Sequence, residues 1–390
     1  MDQRFQELDS LRGIAALIVV FHHFLFILPA FKDDASPENL WIDLFTHTPL
    51  HILWAGHEAV IFFFILSGFV LSLPFFKEGR EFNYTDYVVK RFFRIYIPYI
   101  VSIFIAILLR LIVEERGISG LSSGFNELWE NAIDAGIILS HILFLGEYTT
   151  RTFNSPIWSL IHEMRISLIF PFVVMFMNKN KLWKTVGAAA ACSLVAIVLI
   201  KLTGASSKSI LYSFHYLLVF VVGALLAKYR FLLLELVDKF KVKNYALFIG
   251  GILLLTYPWW FFRDFRIIHV LDDWVIILGA SCIILLAFTS KAFSRFLNLK
   301  TNLFLGKISY SLYLYHMLVL LPMVFLFYGK IHIVGIFSIS LLLSIIVAAI
   351  AYYWVEEPSI SWGKVAIRKL RERKLEIRQV SKPGLDETAD

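Results

Sequence analysis

Only two cysteines stand in 390 residues, Cys192 and Cys282, each inside an apolar run, so neither a disulfide framework nor a thiolate metal site can be built from them. Charge is scarce as well: 17% of residues are charged, against about 25% in soluble domains. That deficit excludes a single water-soluble domain. The sequence has no glycine-rich phosphate loop and no zinc-protease helix motif, and no repeat of the kind that marks inverted-repeat transporters. The net charge of +7 therefore reads as membrane topology rather than as a nucleic-acid surface.

What the sequence has in excess is apolar residues, 58% hydrophobic and 16% aromatic with 37 Phe. Apolar stretches lie near 13–31, 52–73, 92–113, 132–145, 155–177, 183–202, 209–227, 246–262, 274–290, 303–328 and 333–354. A spanning helix needs roughly 20 such residues. The fourth stretch is the shortest and carries Asp134, Ser140 and His141, which marks it as re-entrant or interfacial. The expected fold is an all-α polytopic membrane protein with about ten transmembrane helices plus that one short helix. If the short helix does not cross, 26 of the 37 Lys and Arg residues fall on one side, and the positive-inside rule makes that side, with both termini, cytoplasmic. The opposite loops are acidic at Asp33, Asp34, Glu38 and Asp43, and again over 114–130. A cell-membrane location and an uncleaved first anchor are expected. Residues 1–358 read as the membrane-embedded domain and 359–390 as a basic cytoplasmic tail suited to anionic membrane lipids.

Ionisable groups inside spans are costly and mark function. Arg12 and His23 are eleven residues apart, about 1100° of helix and about 16 Å of rise, so they share one face. Arg91 and Arg94 are three apart at the start of the third span, a spacing at which two guanidiniums can grip phosphate. Glu163 lies about two turns into the helix opened by Asn154-Ser155-Pro156, which the topology puts in the outer half of the membrane. His316 is a second mid-span imidazole, with Tyr313 and Ser309 on its face. Taken singly, each has an ordinary structural reading as a snorkelling arginine, a polar clamp or a packed histidine.

Together these motifs resemble the acyltransferase-3 family of integral membrane O-acyltransferases. The resemblance rests on Leu8-Asp9-Ser10-Leu11-Arg12-Gly13 with His23 following, Phe63 to Leu71 with Ser67, the Arg91 and Arg94 pair, Trp158-Ser159-Leu160 with Glu163 and Pro171, the Ser309 to His316 segment, and Glu357-Pro358. It implies an enzyme that moves an acyl group, often acetyl, from cytoplasmic acyl-CoA to a hydroxyl of a carbohydrate or lipid-linked glycan at the cell surface, with no bound cofactor or metal. It makes His23 and Glu163 the catalytic residues, Arg12, Arg91 and Arg94 the donor-binding residues, and Ser67, Trp158, Tyr313 and His316 their support. Where the family pattern has an aromatic pair after the glutamate, Arg165-Ile166-Ser167 stands here. Transfer could be direct or pass through an acyl-histidine, and either stand-alone action or hand-over to a separate extracytoplasmic acceptor protein fits the resemblance. A transporter exporting an acyl group or a small saccharide is the competing class, because midplane polar residues also suit a translocation path.

Overall fold

The computed structural model describes residues 5–32, 39–77, 79, 82–113, 117–261 and 269–380, and among them the chain is built of helices with no strand. Of the sequence readings above, Asp33, Asp34, Glu38, Glu114 and the tail beyond residue 380 lie outside the described residues. In chain order the helices that matter are α1 (Gln6–Phe26), α2 (Gly56–Phe76), α3 (Tyr84–Ile112), α4 (Ala135–Leu143), α5 (Trp158–Lys179), α6 (Leu182–Thr203), α7 (Ile210–Lys228), α8 (Asn244–Trp260), α9 (Asp272–Thr289), α10 (Lys300–Phe327), α11 (Ile333–Ala351) and α12 (Glu357–Val380). Among the described residues nine helices are long and apolar enough to cross a membrane. The tenth expected span is α8, whose 17 residues make about 25 Å, the short end of what spans a bilayer. The short fourth stretch is α4, nine residues capped by the Asp134 side chain on Ile137 N at 2.9 Å. At about 14 Å it is too short to cross. The protein is a polytopic α-helical membrane protein.

Without a hydrophobic drive between helices in lipid, close packing depends on small residues that let backbones meet. Gly13 of α1 and Gly306 of α10 face each other so closely that a Cβ on either would collide with the other helix's backbone. Gly68 and Gly223 join α2 to α7 in the same way. The first contact is the consequential one, because it locks the helix carrying Arg12 and His23 to the helix carrying Tyr313 and His316. Ser10, fully buried on α1, adds a hydrogen bond from its Oγ to Leu297 O at 2.6 Å.

The connection from α3 to α5 folds into the bundle instead of running over its surface. Arg110, near the end of α3, donates to Thr152 O at 2.9 Å, Trp129 O at 2.6 Å and Asn131 O at 2.9 Å. Trp129 in turn donates its indole N–H to Phe153 O at 3.0 Å, and both rings are fully buried. Asn154, with no exposed surface, donates to Leu314 O on α10 at 2.8 Å. The segment therefore enters the protein interior, and α5 starts there. Each charge-assisted bond is typically worth about 1.5 to 3 kcal/mol before the partners are rehydrated, so Arg110→Ala is expected to destabilise the purified protein by about 3 kcal/mol. A thermal melt in detergent reads this as a lower melting temperature; an unchanged one would mean that the segment holds without its arginine.

At the other end, α11 passes through a π-turn at Tyr352–Glu356 directly into α12. The predicted boundary at residue 358 thus falls inside one continuous helix. α12 is docked on α3 through an Arg371–Asp86 ion pair and the packing of Gly363 on the Phe93 ring.

Candidate active site

Two cavities flank the centre of α1. The first, about 510 Å³, is lined by His22, His23, His57, Glu58, Trp158 and Asp273 together with Arg151, Lys208, Tyr212, Tyr216, Trp259 and Asp272. The second, about 410 Å³, is lined by Arg12, Arg91, Arg94, Glu163, Ser67 and Tyr313 together with Asp9, Lys307, Tyr310 and Glu356. Arg12 and His23 share a face, as their spacing predicts. Their roughly 16 Å separation along α1 takes them to different cavities.

His23 is set by a bonding pattern that fixes its tautomer. His316 Nδ1 lies 3.0 Å from Leu312 O, and a carbonyl only accepts, so His316 donates from Nδ1. His23 Nδ1 lies 2.9 Å from Val19 O and 3.1 Å from His316 Nε2. By the same rule His23 Nδ1 carries a proton, shared between the carbonyl and an unprotonated His316 Nε2. All three contacts are satisfied only by this arrangement. It leaves His23 Nε2 with no protein partner among the described residues, as a free lone pair on a half-buried ring that lines the first cavity. A proton can be taken up there without breaking any bond that holds the ring. His22, the preceding residue, donates from Nδ1 to Trp54 O at 3.2 Å and stacks on the Trp54 ring, a structural role.

The second cavity is where the arginines converge. Arg91 donates from Nη2 to Glu163 Oε1 at 2.8 Å, and Ser67 Oγ donates to the same oxygen at 3.2 Å. Arg12 and Arg94 have no hydrogen-bond or ion-pair partner among the described residues, so two guanidiniums with unbonded N–H groups face this space, which Asp9 and Glu356 also line. Between Arg91 and the end of the arginine motif the helix widens into a π-turn, Phe92–Tyr96, a departure from α-geometry that recurs at functional sites. Guanidiniums so placed suit bidentate capture of phosphate oxygens.

The partition between the cavities is built by α5 and α10. Tyr313 OH donates to Pro156 O at 2.8 Å and lies 2.6 Å from Ser159 Oγ. Trp158 and Ser155 line the first cavity, whereas Ser159, Leu160 and Glu163 line the second. The expectation that Glu163 acts beside the histidine thus differs from its place in the arginine cavity. Because residues 144–157 turn inward, α5 begins inside the bundle and its second turn reaches the arginines. Glu163 is held by Arg91, and no contact joins it to His23.

Several lining residues escaped the sequence reading. His57 and Glu58 open α2 and Asp272 and Asp273 open α9, and ionisable residues at span ends read as ordinary interfacial flanks. Their adjacency just before two apolar runs was the available signal. Glu356, one residue before the quoted Glu357-Pro358 motif, is the buried member of that pair and accepts from Ser311 Oγ at 2.7 Å. Among the described residues no group of three or more His, Cys, Asp or Glu side chains is arranged to hold a metal ion.

The acyltransferase-3 family model, described as an acyltransferase domain, matches residues 5–353. Among curated proteins the chain is 27% identical to Protein 2 in picA locus of Rhizobium radiobacter, over 43% of this chain and 81% of that protein. It is 29% identical to Acyltransferase MdmB of Streptomyces mycarofaciens, over 50% of this chain and 46% of the relative. To O-acetyltransferase OatA of Staphylococcus aureus it is 24% identical, over 84% of this chain and 56% of the relative. The chain thus spans about half the length of the latter two. No solved structure matches.

Proposed function

Since the chain belongs to the acyltransferase-3 family and is an acyltransferase, we propose that it transfers an acyl group, acetyl first among them, from acyl-CoA held in the arginine-lined cavity to a hydroxyl of a carbohydrate or glycolipid held in the histidine-lined cavity. The observation that carries this reading is the pairing of two chambers with different chemistry across one partition. The unbonded guanidiniums of Arg12 and Arg94 suit the phosphates of a coenzyme A donor, and a free imidazole nitrogen at His23 suits an acceptor hydroxyl. The hydroxyl proton passes to His23 Nε2 while its oxygen attacks the thioester carbonyl carbon. The C–O bond forms, the C–S bond breaks, and the CoA thiolate takes up the proton to leave as free thiol. His316 Nε2 accepts from His23 Nδ1 throughout and supports the imidazolium that forms, as a third group orients the base in other acyl transfers. Glu163 acts here as a positioning residue for Arg91.

The charge bias of the loops supports a cytoplasmic mouth for the arginine cavity, both termini on that side, and an acceptor reached from outside a plasma membrane. Transport of an acyl group or saccharide is the weaker reading, because both named acyltransferase relatives and the family model point to group transfer. The test uses the purified full chain with acetyl-CoA and a panel of sugars. CoA release that rises with added acceptor, and an acetylated sugar by mass spectrometry, are expected; sugar uptake into vesicles without CoA release would favour transport.

A further inference from the structure

The first cavity contains a second histidine with a polar chain behind it that the transfer chemistry above leaves unused. His57 Nε2 lies 2.6 Å from Asp273 Oδ1, and His215 Nε2 lies 3.0 Å from Asp273 Oδ2. His215 Nδ1 is 2.8 Å from Ser193 Oγ, which also accepts from the Trp274 indole at 3.2 Å. A carboxylate only accepts, so both histidines donate from Nε2 to one carboxylate that is 1% exposed, and Ser193 Oγ bonds His215 Nδ1 behind it. Four side chains from α6, α7 and α9 are therefore committed to fixing one ring, and the free end of the chain is His57 Nδ1, on a side chain 44% exposed where it lines the cavity.

Glu58, the next residue, is 3% exposed and also lines the cavity. Its Oε1 accepts from the Trp259 indole at 2.7 Å, while Oε2 has no partner among the described residues. A buried carboxylate oxygen left unbonded is costly, and this one belongs to a side chain in the cavity wall. Both residues are held beside the catalytic face of α1 because Gly56 packs directly on the His22 ring, where a Cβ would collide.

We propose that His57 Nδ1 and Glu58 Oε2 form the acceptor subsite, each bonding one hydroxyl of a neutral sugar next to the hydroxyl that His23 deprotonates. The inference rests on the proposed acyl transfer and names its acceptor. Charge selects a neutral ligand: Lys208 and Arg151 on the wall disfavour an ammonium group, and Glu58, Asp272 and Asp273 disfavour an anion. The walls Trp158, Tyr216 and Trp259 offer aromatic faces for the apolar side of a sugar ring.

The test compares the wild-type protein with His57→Gln, which keeps a donor to Asp273 but has no polar atom at the Nδ1 position, and with Glu58→Gln, which replaces an acceptor by an N–H₂ donor. Steady-state kinetics use acetyl-CoA with methyl glycosides of glucose, galactose, mannose and N-acetylglucosamine, and with water alone as acceptor. In both variants the KM for the best glycoside should rise tenfold or more, while the KM for acetyl-CoA and the rate of hydrolysis stay within about twofold, which also shows that the fold is intact. An unchanged glycoside KM would overturn the subsite. A parallel fall in hydrolysis would overturn it too, by placing His57 in the chemical step or in the framework. A wild-type protein that hydrolyses acetyl-CoA but acylates none of the glycosides would overturn the sugar assignment alone, whereas no turnover of acetyl-CoA at all would sink the proposed transfer and this inference with it.

Discussion

His23→Ala is expected to lower acyl transfer by at least a hundredfold while the protein still inserts and folds. General base catalysis typically contributes 10² to 10⁴ in rate, and of the His23 and His316 pair only His23 Nε2 is left free by the bonding pattern among the described residues. The ring is held by Val19 O and His316 alone, so its removal breaks no interhelical polar contact other than that pair, and the Gly13–Gly306 contact that locks α1 to α10 is untouched. Turnover of acetyl-CoA by purified protein, with a melting curve as control, reads the effect. Activity above about a tenth of wild type would remove His23 from the chemistry. His316→Ala is expected to lie between the two, because the imidazole loses the acceptor that fixes its tautomer but keeps the Val19 carbonyl.

The second large effect separates the arginines from one another. Among the described residues Arg12 and Arg94 face the second cavity with no direct ion pair, whereas Arg91 is already paired with Glu163. Replacing Arg12 and Arg94 together by Gln is therefore expected to weaken acyl-CoA binding by roughly tenfold or more per residue, since a hydrogen bond to a charged group is worth about 1.5 to 3 kcal/mol and every 1.4 kcal/mol is tenfold. Glu163→Gln goes the other way in charge. It leaves the Arg91 charge unpaired, so donor affinity should hold or rise, while turnover falls because an ion pair that positions the guanidinium is reduced to a neutral hydrogen bond. Both are read by calorimetry with a non-hydrolysable acyl-CoA analogue. Unchanged affinity in the double arginine variant would return those residues to a role as topological anchors, and a loss of affinity in Glu163→Gln equal to that of the double variant would mean that Glu163 builds the donor site directly.

How much was legible beforehand differs by residue, and the difference is physical. The spans follow from local composition, because each must cross the same hydrocarbon thickness whatever its neighbours are, and α4 was recognisable as too short on that ground alone. The shared face of Arg12 and His23 follows from helical period, which is a local property too. The short α8 was also read correctly as an apolar run.

Tertiary structure alone decided which groups meet. His316 bonds His23 across 293 positions and His57 bonds Asp273 across 216, and no periodicity within one helix reports on a partner in another. Glu163 shows the same limit from the other direction. Its depth was inferred by counting from the start of its helix, but that start is set by Arg110, Trp129 and Asn154 drawing the preceding segment inward through bonds to distant carbonyls. The sequence by itself determined a helical membrane protein with imidazoles and guanidiniums in its spans, since the cost of exposing backbone and charge to lipid leaves few other solutions. Packing between helices decided that those groups divide into two chambers, because only the close approach of α1, α2, α5 and α10 brings polar side chains from remote parts of the chain within hydrogen-bonding distance.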